Sequence, residues 1–304
     1  MGELIALVSS ACFAASNVTI TRGADRTSAD NGAFLSILMT ALLSGLAMLI
    51  FTPPQGSHTP NLPGVAWFAL SGLLTIFVGR VFLYASVQHL GAVRASAIKR
   101  LNPVFSVLLG VTLLGEPVDL SMTAGMLLIF ASFGVLAAAA WRARPPRALA
   151  GGASTTARSI ASLGYLYGPI SALAYATGYV ARKHGLIAMP DPNFGTLIGA
   201  LTGGLSFVLT GLVVESYRKA VRSTFARFNP WLVVAAVMSS VGQILQFVAL
   251  NYSTISRVAL INSLEVVFTM LLSLWLLRSY ERISPATVIA AAMSIVGAAL
   301  VIGL

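Results

Sequence analysis

Long apolar runs recur from one end of this 304-residue chain to the other, and they leave it few folds to choose from. The hydrocarbon core of a bilayer takes a helix of about 20 mostly apolar residues. Ten stretches fit, near 3–21, 32–51, 63–88, 92–114, 120–141, 162–182, 194–215, 229–250, 254–277 and 285–303. They are continuous and rich in Leu, Ala, Ile and Val, without the alternation of a membrane strand. Each therefore reads as a helix whose backbone polar groups are satisfied internally. Charge agrees. Only 9% of residues are Asp, Glu, Lys or Arg, against about 25% in a soluble domain. That cannot coat a water-soluble globule, which excludes a cytosolic enzyme, a nucleic-acid binder and a disordered chain. The expected fold class is an all-α membrane protein of ten transmembrane helices, with the bilayer and a small-molecule substrate as partners and no nucleic acid.

The breaks between runs carry turn and cap chemistry. Pro53 and Pro54 end the second run, and Ser284 before Pro285 forms an N-cap with proline at the first helical position. The longest break divides the chain into residues 1–142, a linker at 143–160, and residues 161–304. The two halves resemble each other at a nearly constant offset. Ala11-Cys12-Phe13-Ala14 sits against Leu173-Ala174-Tyr175-Ala176, offset by 162; Gly32, Ser36 and Thr40 sit against Gly195, Gly199 and Gly203, offset by 163. Phe105 matches Phe268 and Gly134 matches Gly297 at that same offset of 163. A steady offset over several helices marks an internal repeat. Each half holds five runs, an odd number, so the second half enters the membrane from the opposite side. Two inverted five-helix repeats build many carriers, with the solute path at their interface near the midplane.

Basic residues set the orientation. The odd-numbered loops hold Arg22, Arg26, Arg142, Arg144, Arg147, Arg158, Arg218, Lys219, Arg222, Arg227, Arg278 and Arg282, whereas the even loops hold only Arg182 and Lys183. Lys and Arg accumulate on the cytoplasmic side, so both termini are expected on the other side.

A few ionisable residues fall inside the runs, where they face a cavity or a partner. These are Arg80, Lys99, Arg100 and Glu265. Helical spacing gathers polar neighbours with them. Ser96, Lys99, Arg100 and Pro103 share one face; so do Asn262, Glu265 and Thr269; so do Ser239, Gln243 and Gln246. Ser171, Tyr175, Tyr179 and Arg182 line one face of the sixth run, and Ser10, Phe13 and Asn17 the matching face of the first. At the offset of 163, Arg80 corresponds to Gln243 and Asn102 to Glu265. The expected substrate-binding set is Lys99, Arg100, Arg80, Asn102, Asn17, Tyr175, Tyr179, Gln243, Gln246, Asn262 and Glu265. A purely structural role competes with this: Glu265 paired with Lys99, Arg100 or Arg80 would simply fix the two halves together.

These features resemble the drug/metabolite transporter superfamily, EamA type. The resemblance spans essentially the whole chain. It is carried by Asn102-Pro103-Val104-Phe105 with Leu113-Leu114-Gly115-Glu116, and by Leu264-Glu265-Val266-Val267-Phe268 with Glu281. Relatives often show Glu-Pro-Val-Phe followed by Leu-Gly-Glu; here Asn102 replaces the first Glu and Val266 the second Pro. The resemblance implies a central cavity, alternating access and a small polar substrate such as an amino acid. It also places the chain in a bacterial inner membrane, as a monomer or weak dimer. Lys99-Arg100 resembles a Lys-Arg pair of phosphate-translocating relatives, which favours an anionic or carboxylate-bearing substrate.

Other chemistry finds little support. One cysteine, Cys12, excludes an internal disulfide framework and a cysteine-rich metal site. No GxxxxGK loop binds ATP, and neither a metal nor a cofactor is expected. A lipid-headgroup flippase is an alternative, because a phosphate-bearing lipid would suit Lys99 and Arg100. An intramembrane enzyme is a remote one: His58, His89 and His184 all lie in or near loops, so none sits deep enough to serve as a base.

Overall fold

The structure is a computed structural model. It describes residues 1–24, 31–51, 61–90, 95, 98–99, 101–142, 155–226, 228–277 and 285–303, with backbone only for 136–142, 155–163, 277 and 287. Among these residues there are helices and no strands. In chain order they are α1 (Gly2–Gly23), α2 (Ala33–Phe51), α3 (Leu62–Leu90), α4 (Leu101–Leu114), α5 (Leu120–Arg142), α6 (Thr155–Ala188), α7 (Pro192–Val213), α8 (Glu215–Ala226), α9 (Pro230–Tyr252), α10 (Ile255–Asn262), α11 (Glu265–Leu277) and α12 (Pro285–Ile302). Among the described residues six segments are long and apolar enough to cross a membrane: α1, α2, α3, α7, α9 and the stretch Ile255–Leu276.

Helix starts follow local chemistry. Asn61, Asp191, Asn229 and Thr254 each accept a backbone N–H of the first turn with their side chains, and proline occupies the opening turn of α3, α7 and α9. Glu116 caps a helix it does not belong to. It accepts from the amides of Ile255 at 2.6 Å and Ser256 at 3.0 Å, and from the Ser256 hydroxyl at 2.6 Å. A carboxylate at the positive end of α10 is favourable. It also ties the turn before α5 to the second half of the chain.

Three features depart from regular spans. Residues 73–79 of α3 form a π segment. The ninth run breaks at Ser263 and Leu264, whose amides bond to Leu260 and Ile261 at 3.1 and 3.0 Å, so Asn262, Glu265 and Thr269 do not ride one continuous helix. Residues 215–226, expected as loop, form the amphipathic α8. In addition α6 begins at Thr155 and runs to Ala188, beyond both edges expected for the sixth run.

The bundle is tied end to end. Ser253 donates to Glu3 at 2.9 Å at one end of α1, and Asn229 donates to the Gly23 carbonyl at 2.9 Å at the other. The helices α1 and α9 therefore run antiparallel along their length. The same holds for α3 and α6, where Asn61 bonds to the Ala188 carbonyl and Ser86 to the Gly164 carbonyl. The helix α2 packs on α7 and α9, and α5 on α12. Where α3 crosses α7, a Cβ built on Gly72 would sit 2.2 Å from the Gly199 carbonyl oxygen, so two backbones meet there and only glycine fits. The outward faces keep exposed Leu, Val and Ile, as a lipid-facing wall requires.

Candidate functional site

Glu265 opens α11 just after the break and is buried, 4% exposed. Lys99 donates to its Oε2 at 2.8 Å, and Asn17 of α1 donates to its Oε1 at 2.6 Å. One carboxylate thus joins both halves of the chain. The Lys99 ammonium also stands 5.1 Å from the Phe13 ring centre and 5.3 Å from that of Tyr175. These two aromatics are 162 residues apart, the offset of the sequence repeat. Ring faces attract a cation, the more so when it is shielded from water.

A cavity of about 20 Å³ borders this group, lined by Phe13, Lys99, Asn102, Pro103, Tyr179, Gln246, Ala259, Asn262, Ser263, Glu265 and Val266. It has room for about one water. Asn262 matters most in the lining. Neither its Oδ1 nor its Nδ2 has a hydrogen-bond partner among the described residues, although both atoms are buried. An unpaired buried amide is costly, so a polar guest is welcome here. Asn102 spends its Nδ2 on the Ala172 carbonyl at 3.1 Å. Gln246 donates to the Tyr179 hydroxyl at 2.8 Å.

The remaining expected residues divide. Arg80 is 1% exposed and bonds to the Ser36 carbonyl and hydroxyl, the Thr40 hydroxyl and Gln243, at 2.7 to 3.3 Å. It clamps α2, α3 and α9 together and does not line the cavity; nor does Gln243. Arg100 lies outside the described residues, as do Ser96, Arg94 and Glu281. Arg182 counts with the even-loop charges and also falls on the Tyr175–Tyr179 face of the sixth run; the loop count is what fails. Arg182 is fully buried within α6, bonded to Thr75 at 3.0 Å and Gln246 at 3.2 Å, with its guanidinium 3.8 Å from the Phe247 ring centre. Charge marked it as a boundary, but α6 continues past it to Ala188. Its i+3 spacing from Tyr179 was the available signal. Phe13 and Ser263 also line the cavity without having been placed in the expected set; for Phe13 the signal was its repeat match to Tyr175.

The electrostatics differ from a basic pocket. Lys99 is neutralised by Glu265, so among the described residues the lining carries one cation and one anion. A second, wider opening of about 410 Å³ lies at the end of the bundle that holds Glu3. It is lined by Glu3, Asp119, Lys183, Tyr252, Ser253 and Arg257 among others, again with both signs of charge. Arg257 pairs with Asp119 at 3.1 Å across its rim. Among the described residues no group of His, Cys, Asp and Glu could hold a metal ion.

Comparison with known proteins gives this geometry a family. No curated protein matches the chain significantly. A solved structure described only as "Crystal structure of protein" is similar over 99% of this chain and 98% of its own, at 17% identity and a TM-score of 0.65, which supports the fold alone. The family model for the EamA-like transporter family matches residues 1–138 and 162–303. With nearly the whole length matched, the chain belongs to the EamA-like transporter family of the drug/metabolite transporter superfamily and is an integral membrane transporter.

Proposed function

We propose that the protein is a secondary carrier in which two inverted five-helix repeats alternate around the Lys99–Glu265 cavity, and that its solute is a small zwitterion. The unpartnered Asn262 amide beside a buried, mutually neutralised ion pair carries this reading. A solute with a carboxylate and an ammonium can replace each charge's partner in kind: its carboxylate takes Lys99 and its ammonium takes Glu265. A purely anionic solute would leave Glu265 buried and unpaired, which is strongly unfavourable. An amino acid or a related metabolite has the right chemistry. The cavity, at about 20 Å³, is too small for one as it stands, so binding requires the helices around it to move apart.

Two contacts support the repeat. Arg80 and Gln243, paired at 3.3 Å, are 163 residues apart. The hydroxyls of Ser132 and Ser294, at 2.8 Å, are 162 apart. Repeat-related residues touch each other only near an axis relating the halves. The two stretches matched by the family model, 1–138 and 162–303, agree with that division. Loop charge favours both termini on the non-cytoplasmic side; the family resemblance favours a bacterial inner membrane, and export is the direction we favour. The lipid-headgroup flippase is the weaker reading, because Lys99, one of the two basic residues it called for, is paired with Glu265.

Counterflow of radiolabelled amino acids into proteoliposomes tests the proposal. Lys99→Gln and Glu265→Gln should each abolish zwitterion flux. Retained flux in both variants would refute the site.

A further inference from the structure

We propose that α8 carries a binding site for anionic phospholipid headgroups, separate from the carrier cavity. The helix has two sharply different faces. Tyr217, Ala220, Val221 and Thr224, at i, i+3, i+4 and i+7, turn inward and are buried or partly so. Tyr217 rests 4.8 Å from the Phe207 ring centre and 6.2 Å from that of Phe77, which fixes this face on the bundle. Arg218, Lys219 and Arg222 occupy the opposite face and are exposed. The helix's one acid, Glu215, pairs with Lys219 at 2.9 Å, which leaves α8 with a net positive charge.

The ends of α8 identify the occupant. It follows directly on Leu212 and Val213, which are 70% and 89% exposed and continue the outer apolar wall of α7. It leads into Phe225 and Phe228, which are 75% and 83% exposed. Apolar residues laid bare at both ends sit against lipid, at the depth where a transmembrane helix leaves the hydrocarbon. A helix anchored there, with bases outward and aromatics at its edge, lies in the interface plane among headgroups. Positive charge at that level selects phosphates that carry a net negative charge, and each basic side chain contributes about fivefold in affinity. Phe225 and Phe228, together with the exposed Leu212 and Val213 of the outer wall of α7, favour lipid as the occupant.

The test uses the full chain in nanodiscs of phosphatidylcholine alone or of a mixture rich in phosphatidylglycerol. Native mass spectrometry counts retained lipid, and the thermal midpoint is read in parallel. The wild type should retain phosphatidylglycerol and melt higher in the mixture. The triple variant R218Q/K219Q/R222Q should bind it about a hundredfold more weakly and lose most of the rise. R257Q, a basic residue at the other end of the bundle, should keep both. Glu215→Gln, which frees Lys219, should tighten retention and guards against a triple variant that fails to fold. Equal retention by the triple variant and the wild type overturns the proposal. So does an unchanged Glu215→Gln, or an equal rise when inorganic phosphate is added to phosphatidylcholine nanodiscs.

Discussion

A single carboxylate does most of the joining at the centre of this protein. Glu265 receives Lys99 from the first half and Asn17 from α1, and it lies 4% exposed. Taking away one member of a buried ion pair costs about 3–5 kcal/mol, because the other charge is stranded. Glu265→Gln should therefore melt well below the wild type in detergent, whereas the double change K99Q/E265Q should recover most of the loss yet remain inactive. Equal melting of the single and double variants would show that the pair is not coupled. Asp119 gives a prediction in pH. The Met122 amide, then the Ser121 hydroxyl and the Arg257 guanidinium, hold its carboxyl below the usual range. A depressed carboxylate stabilises the fold where it is ionised and ceases to as it protonates. Wild type should thus lose stability as pH falls below about 4, and Asp119→Asn, lacking that increment, should show a shallower decline in acid melts. Lys99 and Glu265 were legible in the sequence because charge inside an apolar run is rare. Their pairing was one of several options until the fold fixed it. Arg182 was counted as a loop charge, although its face of the sixth run was read correctly, because hydropathy cannot tell a charge that ends a helix from one that the helix buries.

Among elements, α10 and α3 are the informative ones. α10 is eight residues long, too short to be stable alone, and it depends on Glu116 for the amides of its first turn. Glu116→Ala should cost about 2 kcal/mol and raise hydrogen exchange at residues 255–262 selectively. Uniform exchange would argue against the cap. Gly110 belongs to the same device, since a Cβ there would meet Glu116 Oε2 at 2.5 Å. In α3, Gly72→Ala should push α3 away from α7 at a cost of about 1–3 kcal/mol, read as a lower melting midpoint; no change would mean that the crossing is looser than its geometry. Run length and periodicity carried most of the helices. The π segment, the break at Ser263–Leu264 and α8 were not legible. A π turn and a broken span keep their apolar composition, so a hydropathy window passes over them. α8 has the charge of a loop, and only its i, i+3, i+4, i+7 pattern distinguishes it.

At the scale of the whole molecule, the orientation proposal is directly testable. In a Cys12→Ser background, Asp191→Cys should react with a membrane-impermeant thiol reagent in intact cells and Ser216→Cys should not; the reverse pattern would invert the topology. The proposed repeat rests in the sequence on an offset of 162–163 between halves. What that offset could not reveal is which equivalent positions meet. Ser132 facing Ser294, and Arg80 facing Gln243, have a consequence for ancestry. In a dimer of identical subunits, a residue on the two-fold axis meets its own copy. A serine tolerates that, because its hydroxyl both donates and accepts. An arginine does not, since two guanidinium groups repel and neither can accept. If this chain arose by duplication and fusion of one five-helix unit, the Ser132–Ser294 contact could predate the fusion, but the Arg80–Gln243 contact could not. On that proposal, joining the copies frees the two positions to become a donor and an acceptor, and so allows a full charge to be buried between the halves.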